Sequence, residues 1–333
     1  MSIAYVGNHG IHELIEDPSI NAFAVPLSAP AQDLPGFGAG VLPANQPDTR
    51  FGRVNLINSV GVSNWNGVTG TFKHNINNSW GGGTVLLGYT YSHGFDEVSN
   101  SGLVPFNFNN SQFPQIPLDY RNNYGPSDYD IRNSLVGNYV WQLPIRKALR
   151  GHGWAPLVEG WQVAGTVFAR SGYPFTVVDS AAAGALSGVL DFGPVYPQPI
   201  TGAKVSTGNC REAAGAGTAC LNVNAFPAAG TETGFGSNGL RNNFRSSGFF
   251  STDFSVMKKT KIPRWERGEL GVGVQMFNAF NHQNFGPPIN DIATGTAFGT
   301  VQTMVSPPTS ILASFLGGDA SSRMIQLKGS LTF

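Results

Sequence analysis

Ser322-Arg323-Met324-Ile325-Gln326-Leu327-Lys328-Gly329-Ser330-Leu331-Thr332-Phe333 alternates with a period of two. Ile325, Leu327, Leu331 and Phe333 fall on one face, while Gln326, Lys328, Ser330 and Thr332 fall on the other. Successive side chains of an extended strand point to opposite sides, so this pattern predicts a β-strand with one apolar and one wet face. A strand of about ten residues so divided has the length and polarity needed to cross a bilayer within a barrel. The same stretch also suits the edge strand of a soluble sandwich, and the rest of the chain has to choose between them.

The composition favours strands and loops. Of 333 residues only 12% are charged, and 20 basic side chains balance 20 acidic ones. A neutral chain offers no electrostatic footprint for nucleic acid. The 43 glycines and 23 phenylalanines suit twisted strands and tight turns better than helices. No stretch reaches the run of about 18 apolar residues that a transmembrane helix requires, but barrel strands hide their hydrophobicity in alternation. Met1-Ser2-Ile3-Ala4-Tyr5-Val6-Gly7 has neither a basic start nor a long apolar core, so it does not read as a signal peptide.

Working back from the terminal strand, the same alternation recurs. Leu270, Val272, Val274 and Met276 alternate with Glu269, Gly271, Gly273 and Gln275, and Phe250, Phe254 and Val256 with Ser251, Asp253 and Ser255. Strands are also expected from about Gly160 to Val178, with a break or bulge at Ser171–Pro174, and from about Asp130 to Gln142. A hairpin is expected over 64–93, with Val85, Leu87, Tyr89 and Tyr91 outward. Residues 1–7 read as the end of a strand, residues 8–63 as loop, 145–158 as room for a short helical turn, and Phe298–Thr303 as a small strand. The count is about eight strands. Long connections (from 8, 94–129, 180–248, 281–321) alternate strictly with short ones (77–83, 143–159, 261–267). Sorting by parity has no purpose in a sandwich but is how a membrane barrel separates extracellular loops from periplasmic turns. Trp65, Trp80, Tyr91, Trp141, Trp161, Phe249 and Phe333 stand near strand ends, where interfacial girdles form. Cys210 and Cys220 read as a local disulfide closing a surface loop in an oxidising compartment.

Several stretches carry a family resemblance. Tyr5-Val6-Gly7-Asn8-His9-Gly10, Asp128-Tyr129-Asp130-Ile131-Arg132-Asn133 before Trp141-Gln142-Leu143-Pro144, and Gly160-Trp161-Gln162-Val163-Ala164-Gly165 before Ser171-Gly172-Tyr173-Pro174-Phe175-Thr176-Val177 resemble the Oar-like TonB-dependent outer-membrane receptors. So do Asn238-Gly239-Leu240-Arg241-Asn242 through Gly248-Phe249-Phe250, and Phe277-Asn278-Ala279-Phe280-Asn281-His282-Gln283-Asn284-Phe285-Gly286. The matches keep the family's order. The terminal strand is likewise similar to the signal that the barrel assembly machinery reads, which would give Ile325, Leu327, Leu331 and Phe333 that role. The resemblance covers only the C-terminal part of a barrel that has about 22 strands in such transporters. The family's signal peptide, N-terminal domain, TonB box and plug have no counterpart, so residues 1–333 are expected to form one segment of a larger barrel.

The expected fold is therefore all-β: an antiparallel up-and-down transmembrane barrel segment in the bacterial outer membrane, with long extracellular loops and short periplasmic turns. No catalytic constellation stands out, and neither an enzyme activity nor a cofactor is expected. The six histidines are scattered without a metal-site spacing. Gly36-Phe37-Gly38-Ala39-Gly40 lacks the lysine and helix of a phosphate loop. Asp96, Glu97, Asp128 and Asp130 suit turn formation better than calcium binding. Lys73, Asn75, Asn138, Gln142, Gln162, Arg170, Glu269, Gln275, Gln326 and Lys328 are expected to face a wet lumen or a plug. The resemblance implies outer-membrane lipid, the assembly machinery and, through the plug, the TonB complex as partners, and an extracellular oligosaccharide or peptide as ligand. A small standalone barrel serving as adhesin or surface structure, and a secreted carbohydrate-binding sandwich, remain as alternatives.

Overall fold

Each alternating segment finds its ladder partner in the computed structural model. The structure describes residues 1–20, 50, 54–77, 80–99, 114, 119–149, 152, 155–182, 195–208, 210, 218–231, 240–262, 265, 268–305 and 322–332. Phe333 and Gly36–Gly40 lie outside them. The strands are β1 Ser2–Ile20, β2 Val54–Ile76, β3 Gly83–Asp96, β4 Gly125–Pro126, β5 Asn133–Gln142, β6 Trp161–Arg170, β7 Pro174–Phe175, β8 Phe244–Arg245, β9 Phe249–Lys261, β10 Glu269–Phe277 and β11 Met324–Thr332. One antiparallel sheet runs in the order β1-β2-β3-β5-β6-β9-β10-β11, with β4 added to the end of β3, and β7 pairs with β8 alone. Among the described residues β1 pairs only with β2 and β11 only with β10, so the sheet is not closed.

The pairing register divides the side chains into two faces. Directly opposed residues share a face, so Val85–Tyr139, Val163–Val256, Val256–Val274 and Val274–Leu327 extend one apolar surface across the sheet. Tyr5, Val68, Phe72, Leu87, Tyr89, Tyr91, Leu270, Val272, Ile325 and Leu331 belong to it and are all exposed, and Leu327 is 80% exposed. Water would make such a surface unfavourable, whereas hydrocarbon removes that cost.

Three expectations are corrected. β1 runs through Ile20 and β2 begins at Val54, so much of what read as loop in 8–20 and 54–63 is a long two-stranded extension. Its register slips between Ile11 and Glu13, between Glu13 and Leu14, and between Asp17 and Ile20. Each slip changes the phase of the alternation, which hides the strands from a search for period two. His12 adopts a positive φ of 58° within this stretch. Second, 180–248 is not structureless where described. Phe175, Val177, Cys220, Leu221, Ala225 and Phe226 share a hydrophobic core with Ile292, Phe298 and Val301 from the connection before β11. Third, the segment expected as a strand near Phe298 follows a 3-10 helix at Ile292–Ala297, and among the described residues its neighbourhood contributes isolated bridges, Val178 to Asp291 and Phe285 to Met304, instead of a strand. The expected helical turn is present as α1 Ile145–Ala148 and α2 Ala155–Val158.

Candidate functional site: the polar face and its long-loop rim

The opposite face of the sheet carries the polar positions. The register sets Lys73, Asn138, Gln162, Arg170, Glu269, Gln275, Gln326 and Lys328 together on that face, with Gln275 directly opposite Gln326. They do not converge on one point. Gln162 and Glu269 line a cavity of about 580 Å³ at the short-turn rim, where Lys259 Nζ lies 3.5 Å from Glu269 Oε1. Arg170 stands at the other rim, its guanidinium 3.8 Å from the Tyr173 ring centroid. Aromatic residues divide less simply than expected. Trp141 and Trp161 lie on the apolar face at the short-turn rim; Trp141 Nε1 donates to the Trp80 carbonyl at 2.7 Å, and Trp161 Nε1 to the Leu157 carbonyl at 2.7 Å. Trp65 and Phe249 belong to the polar face instead, because Trp65 is paired with Asn8 and Phe249 with Arg170.

At the long-loop rim the connections are fastened down by buried charge. Arg241 is fully buried, donating through Nη1 to Asp96 Oδ1 at 2.6 Å and to the Asp96 carbonyl at 2.9 Å. Its Nη2 donates to Ser99 Oγ at 2.9 Å and to Asp128 Oδ1 at 3.3 Å. Burial alone would lower the Arg241 pKa, but the two carboxylates outweigh it and raise it above the ordinary arginine value. Asn242, at a positive φ of 54°, turns its amide to Asp128 Oδ1 and the Pro126 carbonyl, each at 2.7 Å. Beside this clasp, Asp130 accepts from Gly94 N–H at 2.9 Å, pairs with His93 Nδ1 at 3.0 Å and is bound by Arg245. Asp96, Asp128 and Asp130 are therefore arginine partners that tie the β8 segment to the ends of β3 and β4. Burial raises the Glu97 carboxyl in the same region. Tyr120 is pushed up to about 12 by burial and by Asp17.

Cys210 and Cys220 are joined in a disulfide. It is not a surface clip: Cys220 is completely buried, within the core shared by Phe226 and Phe298. Among the described residues no group of three or more histidine, cysteine, aspartate or glutamate side chains is placed to hold a metal ion. The arginine clasp escaped sequence reading because its members lie far apart in the chain. Asp128, Asp130 and Arg241 stood in stretches quoted for their resemblance, but no local spacing connects them.

A second cavity, of about 470 Å³, opens at the same rim on the polar face. Trp65, Asn8, Glu13, Ser63, Asp96 and Tyr129 are among its lining residues. A Cβ on Gly67 would come within 2.4 Å of the Trp65 ring and one on Gly94 within 3.2 Å, so the indole lies across the sheet over two glycines.

An antiparallel sheet with one continuous apolar face, one polar face, indoles at the short-turn rim and folded loops sorted to the other defines a transmembrane β-barrel protein. Among the described residues no helix is long and apolar enough to cross a membrane, which leaves the crossing to the strands. The sequence model of the outer membrane beta barrel domain family matches residues 1–326, and the chain belongs to that family. Its place is the bacterial outer membrane, with the long loops extracellular and the short turns periplasmic. Neither a curated protein nor a solved structure matches the chain.

Proposed function

We propose that this chain is the C-terminal barrel segment of an Oar-like TonB-dependent receptor, which captures an extracellular ligand with its loops and passes it along the polar face when the TonB complex moves a plug. The observation that carries this reading is the long-loop rim. A barrel needs only short connections to stand in a membrane, yet here the loops share a core and a buried arginine clasp above a polar face. Held loops of this kind suit recognition, because a rigid site loses less entropy on binding. The ordered series of resembling stretches and the two sheet edges that have no partner among the described residues also support it. The lipid contacts of the apolar face, assembly through Ile325, Leu327, Leu331 and Phe333, and the TonB partnership belong to the same proposal. No covalent chemistry is assigned.

The test is accumulation of labelled oligosaccharides and peptides by cells producing the whole gene product, with and without a protonophore and with and without TonB. The expected outcome is uptake of at least one probe that stops in both depleted conditions. Uptake indifferent to both would remove the energy-coupled reading.

One observation favours the standalone barrel. β1, with 19 residues, supplies the full first strand that such a barrel requires and that the sequence pattern had shown only in part.

A further inference from the structure

We propose that the cavity over Trp65 is a binding subsite for a neutral oligosaccharide. The inference gives the proposed receptor a ligand class and rests on that reading for its biological sense, though not for its chemistry.

The cavity floor is the polar face of β2 and β3, whose backbone groups are already paired with each other. Between β2 and β3 it therefore offers no free ladder edge on which a peptide could add as a strand, and the open edge of β1 lies on the side of that strand away from β2. What the floor offers is a flat aromatic surface. Trp65 occupies the space that side chains at Gly67 and Gly94 would need, and it remains 36% exposed. Tyr129, 39% exposed, adds a second aromatic group to the lining.

Around the indole stand short polar side chains. Asn8 is directly opposite Trp65 in the β1–β2 register. Glu13 accepts from Ser63 Oγ at 2.6 Å, which holds its carboxylate at the edge of the cavity. Among the described residues no lysine or arginine lines the space, so an anionic ligand meets no counter-charge from them. The Asp96 charge is matched by buried Arg241, which leaves Glu13 as the one lining charge without an ion pair among the described residues and weakens the case for a cation. A pyranose meets these features together: its C–H face covers an indole, and its hydroxyl groups donate to carboxylate and amide oxygens. The volume lies within the range of about 300–1,000 Å³ usual for ligand pockets. Such pockets join apolar area with a few placed polar groups.

The experiment uses the whole gene product extracted from outer membranes in a detergent without a sugar headgroup. Malto-, cello-, xylo- and N-acetylchito-hexaoses are titrated by calorimetry, beside a chitosan hexamer and an unstructured peptide. At least one neutral hexaose is expected to bind, with little dependence on salt. Trp65→Ala should weaken it about tenfold or more, and Trp65→Phe, which keeps an aromatic face, by less. Heat-modifiable gel migration of each variant shows that the barrel is folded, and Trp80→Ala, at the opposite rim, should bind as the parent does. No binding of any neutral hexaose up to about 10 mM would overturn the assignment. Affinity unchanged in Trp65→Ala, or binding of the chitosan or peptide probe alone, would overturn it too. Trp65-dependent sugar binding in cells that show no energy-dependent uptake would sustain the cavity and remove the transport reading. Energy-dependent uptake of a ligand whose binding ignores Trp65 would do the reverse.

Discussion

Arg241 shows what one residue can decide in this molecule. Its guanidinium is fully buried and satisfies Asp96, Ser99 and Asp128, which come from the end of β3 and the segment after β4. Removing it would take from Asp96 and Asp128 the buried cation that they share. Loss of one partner of a buried pair typically costs about 3–5 kcal/mol. Arg241→Met should therefore lower the urea midpoint and expose 218–231 to protease, while the heat-modifiable barrel band persists. Arg241→Lys should recover little, since an ammonium cannot hold two carboxylates with a fixed fork. Wild-type protease resistance in Arg241→Met would mean that the loop core holds itself. Sequence alone marked the stretches around Asp128 and Arg241, but 113 residues separate that pair and no periodicity joins them. The polar face was legible residue by residue because alternation is local: the register sets Lys73, Asn138, Gln162, Arg170, Glu269, Gln275, Gln326 and Lys328 on one side.

At the scale of the strand, alternation works as long as nothing shifts its phase. β10 and β11 pair without interruption from Glu269–Thr332 to Phe277–Met324, and both were readable from composition and order alone. β1 was readable only over residues 1–7, and its three register shifts and mixed charges break the pattern beyond Ile11. The β10 element also gives a direct measure of the lipid-facing assignment. Val274 lies on the apolar face between Val256 and Leu327, whereas its neighbour Gln275 lies on the polar face opposite Gln326. Arginine at a barrel's lipid-facing midplane costs about 2–4 kcal/mol. Val274→Arg should lose that amount in urea titrations in bilayers and insert poorly, whereas Gln275→Arg should change both little. Equal effects of the two substitutions would show that the faces do not meet different solvents.

For the whole molecule the decisive feature is the pair of open edges. Alternate residues of β1 and β11 turn both backbone groups away from the sheet, and among the described residues neither edge has a partner. In hydrocarbon each unsatisfied group costs several kcal/mol, so an open sheet cannot persist there and something must cover both edges. If further strands supply the cover, residues 1–333 refolded alone into lipid vesicles should give no heat-modifiable, protease-protected monomer, and joining the upstream strands should restore one. If instead β1 closes onto β11, the isolated chain should form that monomer. A cysteine pair placed across β1 and β11, such as Ala4→Cys with Ser330→Cys or neighbouring same-face positions, should then cross-link within one chain. The two outcomes exclude each other. The first keeps the loop core and the Trp65 cavity as the outer rim of a larger pore. The second makes them the crown of a small barrel, whose interior would be filled by the same polar face that the receptor reading treats as a passage wall.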